Sequence, residues 1–302
     1  MVFENLIGND KAKQLLIKSI NSNNILHSYI FVGIEGIGKK LFAEEFAKAI
    51  MCMQENKYCN NCKSCMESNS NNNPDYMKIE QLEDAKNIKI EQIRFMQEKI
   101  AEKPIISSKK VYIIDNADTM TVEAQNCLLK TLEEPPEYAV IILIASNESK
   151  LLNTIKSRCM KVPFEAISEE CLKIYIEENI SKDVTTNMVS MCGGSIGKAR
   201  LIEERKEIYI NLEDIINNIS TKDLIDILNK SEILYKSKDN IQELLDYINI
   251  ILYNKNDIRY INCIQLVEDV KTRLLQNSNY DMSIDRLLIK MWEEINEKYS
   301  RC

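Results

Sequence analysis

The run GIEGIGKK, Gly33 to Lys40, has the residue types and spacing of a phosphate cradle. In G-x-x-x-x-G-K the glycines, here Gly33, Gly36 and Gly38, let backbone N–H groups close around phosphate oxygens, and Lys39 supplies a point charge. A hydrolysing version also needs a Ser or Thr hydroxyl on magnesium at the next position, and here that position is Lys40. An ammonium has no lone pair to offer a metal and repels it. Lys39 and the loop amides therefore favour residual ATP or ADP affinity, while Lys40 opposes a metal-bound triphosphate, and the sequence alone leaves nucleotide occupancy open.

A second group of candidates is the tetrad Asp115, Asn116, Ala117 and Asp118, which follows the apolar run Val111–Ile114. Ligand chemistry gathers at the carboxyl ends of strands in open α/β sheets, so Asp115 is the candidate partner of the cradle. Asn116 can accept a hydrogen bond but cannot take a proton from water. Further on, Ser157, Arg158 and Cys159 place one arginine between two small residues.

Cys52, Cys59, Cys62 and Cys65 form C-x6-C-x2-C-x2-C in a stretch too polar to build its own core. Four thiolates at this spacing can close a tetrahedral site, and an all-sulfur set with no open position favours structural zinc. Iron–sulfur ligation and a redox C-x-x-C pair are the competing readings. The single histidine, His27, lies too far upstream to join the cluster and reads as a packed loop residue.

Elements that could position these groups are legible in the pattern. Ser28–Val32, Tyr76–Ile79, Val111–Ile114, Ala139–Ser146 and Met160–Phe164 read as strands, with helices over Asn9–Asn21, Leu41–Met53 and Ile90–Glu102. Thr121 is placed to cap a helix that Pro135 and Pro136 end. Strand and helix alternate over residues 1–165, which predicts a parallel α/β sheet with helices on both faces. After Glu165 the pattern is helical: a small lid-like domain over 166–205, with helices from Ser168, up to Cys192 and over Lys198–Glu204, then an all-α domain over 206–302. The apolar stripes there run over Ile241–Tyr253, Ile258–Leu275 and Ser283–Tyr299, and Trp292 reads as core.

The chain has 302 residues and a net charge of -7, which argues against blanketing a nucleic-acid backbone with positive surface. Ten cysteines without a secretion-type start suit a reducing compartment. No run approaches the ~20 apolar residues of a membrane span, so a soluble, cytoplasmic chain with no membrane partner is expected.

With the cradle, the strand ending at Asp115, the run LLKTLEEPP (Leu128–Pro136) and the triplet Ser157-Arg158-Cys159 in this order, the chain resembles the AAA+ subunits of clamp loaders. The four-cysteine insertion at 52–65 resembles the bacterial branch. That resemblance implies an AAA+ P-loop domain with a zinc module, a helical lid and a helical collar that assembles a ring. It also implies gamma/tau and delta subunits of DNA polymerase III as partners, with the sliding clamp and primer-template DNA met through the complex.

Within the branch, the ATP-hydrolysing gamma/tau class and the non-hydrolysing delta-prime class differ at the positions where this chain departs from the pattern. Lys40 replaces the magnesium hydroxyl, Asn116 replaces the water-activating glutamate, and Gly197 in GGSIGKA (Gly193–Ala199) stands where an arginine reaches the γ-phosphate. Lys198 would point about 100° away on a helix. Arg158 is kept, at the position of the arginine that completes a neighbour's site. The expectation is a delta-prime-type scaffold that lends an arginine finger. A gamma/tau-type motor is the alternative, its tau form disfavoured by the lack of a long tail beyond Cys302.

Overall fold

The computed structural model describes residues 2–55, 57–82, 85–230, 232–276 and 278–297. The chain divides into two compact units, one of Met1–Cys171 with Ser195–Gly197, the other of Leu172–Gly194 with Lys198–Cys302.

In the first unit helix and strand alternate: α1 (Asp10–Asn21), β1 (Ser28–Val32), α2 (Lys39–Met51), α3 (Lys63–Asn69), β2 (Tyr76–Ile79), α4 (Ile90–Ile100), β3 (Lys110–Ile114), α5 (Val122–Glu133), β4 (Ala139–Ala145), α6 (Asn153–Lys156) and β5 (Met160–Pro163). The five strands make one parallel sheet in the order β2-β3-β4-β1-β5. Because β4 lies between β1 and β3, the loops after β1, β4 and β3 emerge side by side at one end.

The continuous apolar runs are explained by burial on both faces. Tyr29 and Phe31, Val111 and Ile113, and Val140, Ile142 and Ile144 face one core layer with Leu16, Phe42 and Phe46 of α1 and α2. Their alternates Ile30, Tyr112, Ile114, Ile141 and Leu143 face a second layer with Ile93 and Met96 of α4 and Leu128 of α5. Each such side chain contributes roughly 1.5–3 kcal/mol on burial. Two-sided covering is the reason these strands do not alternate polar and apolar residues.

α5 is capped as its sequence predicts, Thr121 Oγ1 accepting from Ala124 N–H at 3.3 Å. α2 begins two residues earlier than expected, so Lys39 and Lys40 are its first residues. His27 is exposed in the turn before β1 rather than packed, and its carbonyl takes the N–H of Ile141.

Beyond β5 the regular elements among the described residues are helical: α7 (Glu169–Asn179), α8 (Thr186–Cys192), α9 (Ile196–Glu204), α10 (Lys206–Asn217), α11 (Leu224–Lys230), α12 (Glu232–Lys236), α13 (Ile241–Asn254), α14 (Ile261–Leu275) and α15 (Tyr280–Glu297). The helix expected over Ser283–Tyr299 starts three residues earlier, and Tyr299 lies outside the described residues. Trp292 is half-buried and donates from Nε1 to Lys222 O at 3.0 Å. Among the described residues no helix is long and apolar enough to cross a membrane.

Candidate functional site

Gly33–Gly38 connect the end of β1 to the start of α2, and the two lysines that follow diverge because consecutive helical residues lie about 100° apart. Lys39 turns back onto the loop. Its ammonium donates to Gly33 O at 2.6 Å, Ile34 O at 2.7 Å and Ser146 Oγ, just past β4, at 3.2 Å. It is only 5% exposed, and burial pushes its pKa below the ordinary lysine value against the pull of Asp118, Glu35 and Asp115.

Lys40 turns the other way, toward the end of β3. Its Nζ stands 3.0 Å from Asp115 Oδ2 and 3.5 Å from Glu80 Oε2, and Lys78 holds the same Glu80 oxygen at 3.0 Å. Burial works to lower the Lys40 pKa, but hydrogen bonding and charge from Asp115, with Glu80 behind, outweigh it and raise the value. The acid at the strand end is thus neutralised by a cation from its own chain.

The rest of the tetrad is structural in its contacts. Asn116 sits in the left-handed region at φ 52, which asparagine tolerates better than a longer side chain, and its N–H donates to Asp115 Oδ1 at 3.1 Å. Asp118 accepts from Ser146 N–H at 3.3 Å and Asn147 N–H at 3.1 Å, tying the turn to the end of β4.

Gly197 lies in the Ser195–Gly197 segment that groups with the first unit. Its N–H donates to Gly36 O at 2.9 Å. A Cβ on Gly197 would meet Gly36 Cα at 2.9 Å, and one on Gly36, whose φ is +75°, would meet Gly197 Cα at 3.1 Å. Glycine at 197 therefore lets two backbones touch.

The structure does not bring Arg158 to this site. The Arg158 carbonyl accepts from Ser28 Oγ at 2.7 Å, at the amino end of β1, whereas the cradle follows the carboxyl end of the same strand. Five residues at about 3.3 Å rise separate the two ends by roughly 13 Å. The guanidinium pairs with Glu133 Oε1 at 2.6 Å and donates to Thr154 O at 2.9 Å and Ser157 Oγ at 3.4 Å.

The four cysteines converge as their spacing predicts, with all four Sγ atoms within 4.8 Å of one another. Cys52 and Cys59 are 3.6 Å apart at sulfur, Cys59 and Cys65 4.0 Å. A tetrahedral ion with Zn–S bonds of about 2.3 Å needs sulfur separations of about 3.8 Å, so the donor set fits zinc. Hydrogen bonds from the backbone at Asn61 and Cys62 bring the Cys59 thiol down to about 6, toward the thiolate a metal requires, whereas burial pushes the Cys65 thiol of the same set up.

Sequence reasoning missed the clip that holds this module. Asn73 Nδ2 donates to Ser64 O and Oγ, both at 3.1 Å, and to Ser68 Oγ at 2.9 Å. Asp75, 1% exposed, accepts from the N–H groups of Ile105, Ile106 and Ser107 at 2.7, 2.8 and 2.6 Å. An Asn-Pro-Asp run just before a strand was the available signal. The carboxylate partners Glu80 and Glu133 were missed too, because both are distant in sequence from the lysine and arginine they meet.

The family described as "DNA polymerase III, delta subunit" matches residues 8–168. The delta' subunit of Bacillus subtilis is 35% identical over 182 residues, 60% of this chain and 54% of that protein. The gamma/tau subunit of Mycoplasma pneumoniae is 32% identical over 229 residues, 74% of this chain and 32% of that one. The matches thus span between about a third and about half of those relatives' length. A crystal structure of a DNA polymerase III gamma subunit-related protein from Thermotoga maritima shares the fold, with TM-score 0.50 and 18% identity over 94% of this chain and 99% of that one.

Proposed function

The chain belongs to the DNA polymerase III delta subunit family of clamp-loader proteins, and from that premise we propose that it is a delta-prime-type subunit: a scaffold that does not hydrolyse ATP and lends Arg158 to a neighbouring ATPase subunit. The observation that carries the reading is the Lys40–Asp115 ion pair at 3.0 Å. In a hydrolysing P-loop protein the acid after this strand helps hold magnesium between the phosphates, and the metal neutralises charge as the γ-phosphoryl leaves. Here the acid holds an ammonium, the next residue is Asn116, and Gly197 carries no side chain.

Arg158 supports the other half of the proposal. Pinned at the amino end of β1, it is about a strand's length from its own cradle. If it meets a phosphate, that phosphate belongs to another subunit, where an arginine finger is worth on the order of 10³ to 10⁵ in rate. The proposed partners are gamma/tau and delta subunits, with the sliding clamp and primed DNA engaged through the assembly in the bacterial cytoplasm. In this reading residues 1–165 are the AAA+ domain, 166–205 the lid and 206–302 the collar that joins the ring.

The cysteine module at 52–65 is proposed as a closed structural zinc site. Zinc would be held by Cys52, Cys59, Cys62 and Cys65, and bound there it would contribute folding energy. With four protein ligands no position remains for a substrate.

The gamma/tau alternative is favoured by one fact, that the Mycoplasma pneumoniae relative matches a larger share of this chain than the delta' relative does. Reconstitution with gamma/tau and delta subunits tests the proposal. Arg158→Ala should leave assembly intact and slow ATP turnover by the complex at least 100-fold, in line with the finger magnitudes. Unchanged turnover would remove the finger role.

A further inference from the structure

We infer that Glu133 is a positioning residue for Arg158, its carboxylate setting the guanidinium before a neighbouring subunit arrives. The inference rests on the finger reading given above. Glu133 is the last residue of α5, and Pro135 and Pro136 fix where that helix stops. A carboxylate at a helix C-terminus faces the negative end of the helix dipole, so helix stability alone does not favour it there. Its oxygen nevertheless stands 2.6 Å from an Arg158 nitrogen.

The remaining contacts make Arg158 a prepared group rather than a loose surface side chain. Its carbonyl is bound by Ser28 Oγ at 2.7 Å, its N–H donates to Ile155 O at 3.0 Å, and Cys159 beside it is buried in the second core layer. The segment leading to it is clamped to α5 by Gln125, which is 2% exposed, donates to Lys150 O at 3.1 Å and accepts from Leu152 N–H at 2.9 Å. With backbone and α5 fixed, Thr154 O and Glu133 hold the guanidinium from two directions. Both partners of the ion pair keep solvent access, 34% for the arginine side chain and 50% for the glutamate, so the group is presented outward. An arginine held in one rotamer loses less freedom when it meets a phosphate.

The test is a double-mutant cycle in the reconstituted assembly, with Glu133→Ala, Glu133→Gln, Arg158→Ala and the Ala–Ala double variant. Glu133→Ala should lower kcat for ATP about 5- to 10-fold with KM unchanged. Glu133→Gln, which keeps an acceptor oxygen, should fall between it and the parent. The double variant should be no slower than Arg158→Ala, because the glutamate acts through the arginine. If Arg158→Ala is slow and Glu133→Ala is not, the positioning role falls while the finger stands. A faster Glu133→Ala, or losses that multiply in the double variant, would also overturn it. If Arg158→Ala itself has no effect, the finger reading fails first.

Discussion

Lys40 Nζ and Asp115 Oδ2 lie 3.0 Å apart across the gap between the start of α2 and the end of β3. One residue supplies the cation, and the other is the acid at the strand end that the sequence offered as the cradle's partner. In the proposed reading it is this pair, more than the glycine loop, which keeps its spacing, that sets the chemistry of the cradle.

Replacing Lys40 with Thr restores a hydroxyl at the metal position and leaves Asp115 beside Glu80 with one cation fewer. Magnesium-dependent ATP affinity should rise at least about 10-fold, measured by calorimetry with and without magnesium. Without metal, the loss of this partly exposed pair should cost about 1 kcal/mol in urea unfolding.

Gly197→Arg returns the side-chain type that the resemblance places at this position, yet its Cβ would meet Gly36 Cα at 2.9 Å. The variant should lose roughly 1–3 kcal/mol of stability from overpacking and should gain no hydrolysis. Denaturant titration and a turnover assay read both outcomes, and a stable, hydrolysing variant would contradict the close approach.

Asp75→Ala removes a buried carboxylate that accepts from three N–H groups, that of Ser107 buried and those of Ile105 and Ile106 part-buried. The expected loss is roughly 3–5 kcal/mol by denaturant unfolding, with Asp75→Asn about half as severe because one acceptor oxygen remains. A loss below about 1 kcal/mol would show that water replaces the carboxylate.

Elemental analysis of anaerobically purified protein should give one zinc per chain. Cys62→Ser or a strong chelator should lower Tm by roughly 5–10 °C while leaving turnover by the reconstituted assembly within about 2-fold. Zinc near zero, or a site that holds iron, would overturn the assignment.

The fold was legible where burial is two-sided. Ile113 and Ile142 belong to short apolar runs that no half-exposed strand accommodates, and the length of these runs and their alternation with helical stretches pointed to central strands in a parallel sheet. The short helix α3, Lys63–Asn69, was not legible, since its polar sequence is held by Asn73 and by the cysteine cluster rather than by an apolar stripe. At the cradle, Lys40 stood in the sequence at the position where a hydrolysing P-loop carries a metal-binding hydroxyl. Its engagement with Asp115 and Glu80 was invisible, because the three residues meet only once β2 and β3 pair. Arg158 could be singled out from its triplet, whereas its glutamate lay in plain view in LLKTLEEPP without any period linking the two.

The most direct test of the account is single-turnover hydrolysis of magnesium–ATP by the purified chain without partners, followed over hours. The Lys40–Asp115 pair, Asn116 and Gly197 together predict release of phosphate no faster than in buffer. Burst or steady hydrolysis that tracks the protein through purification and vanishes in Lys39→Ala would contradict it.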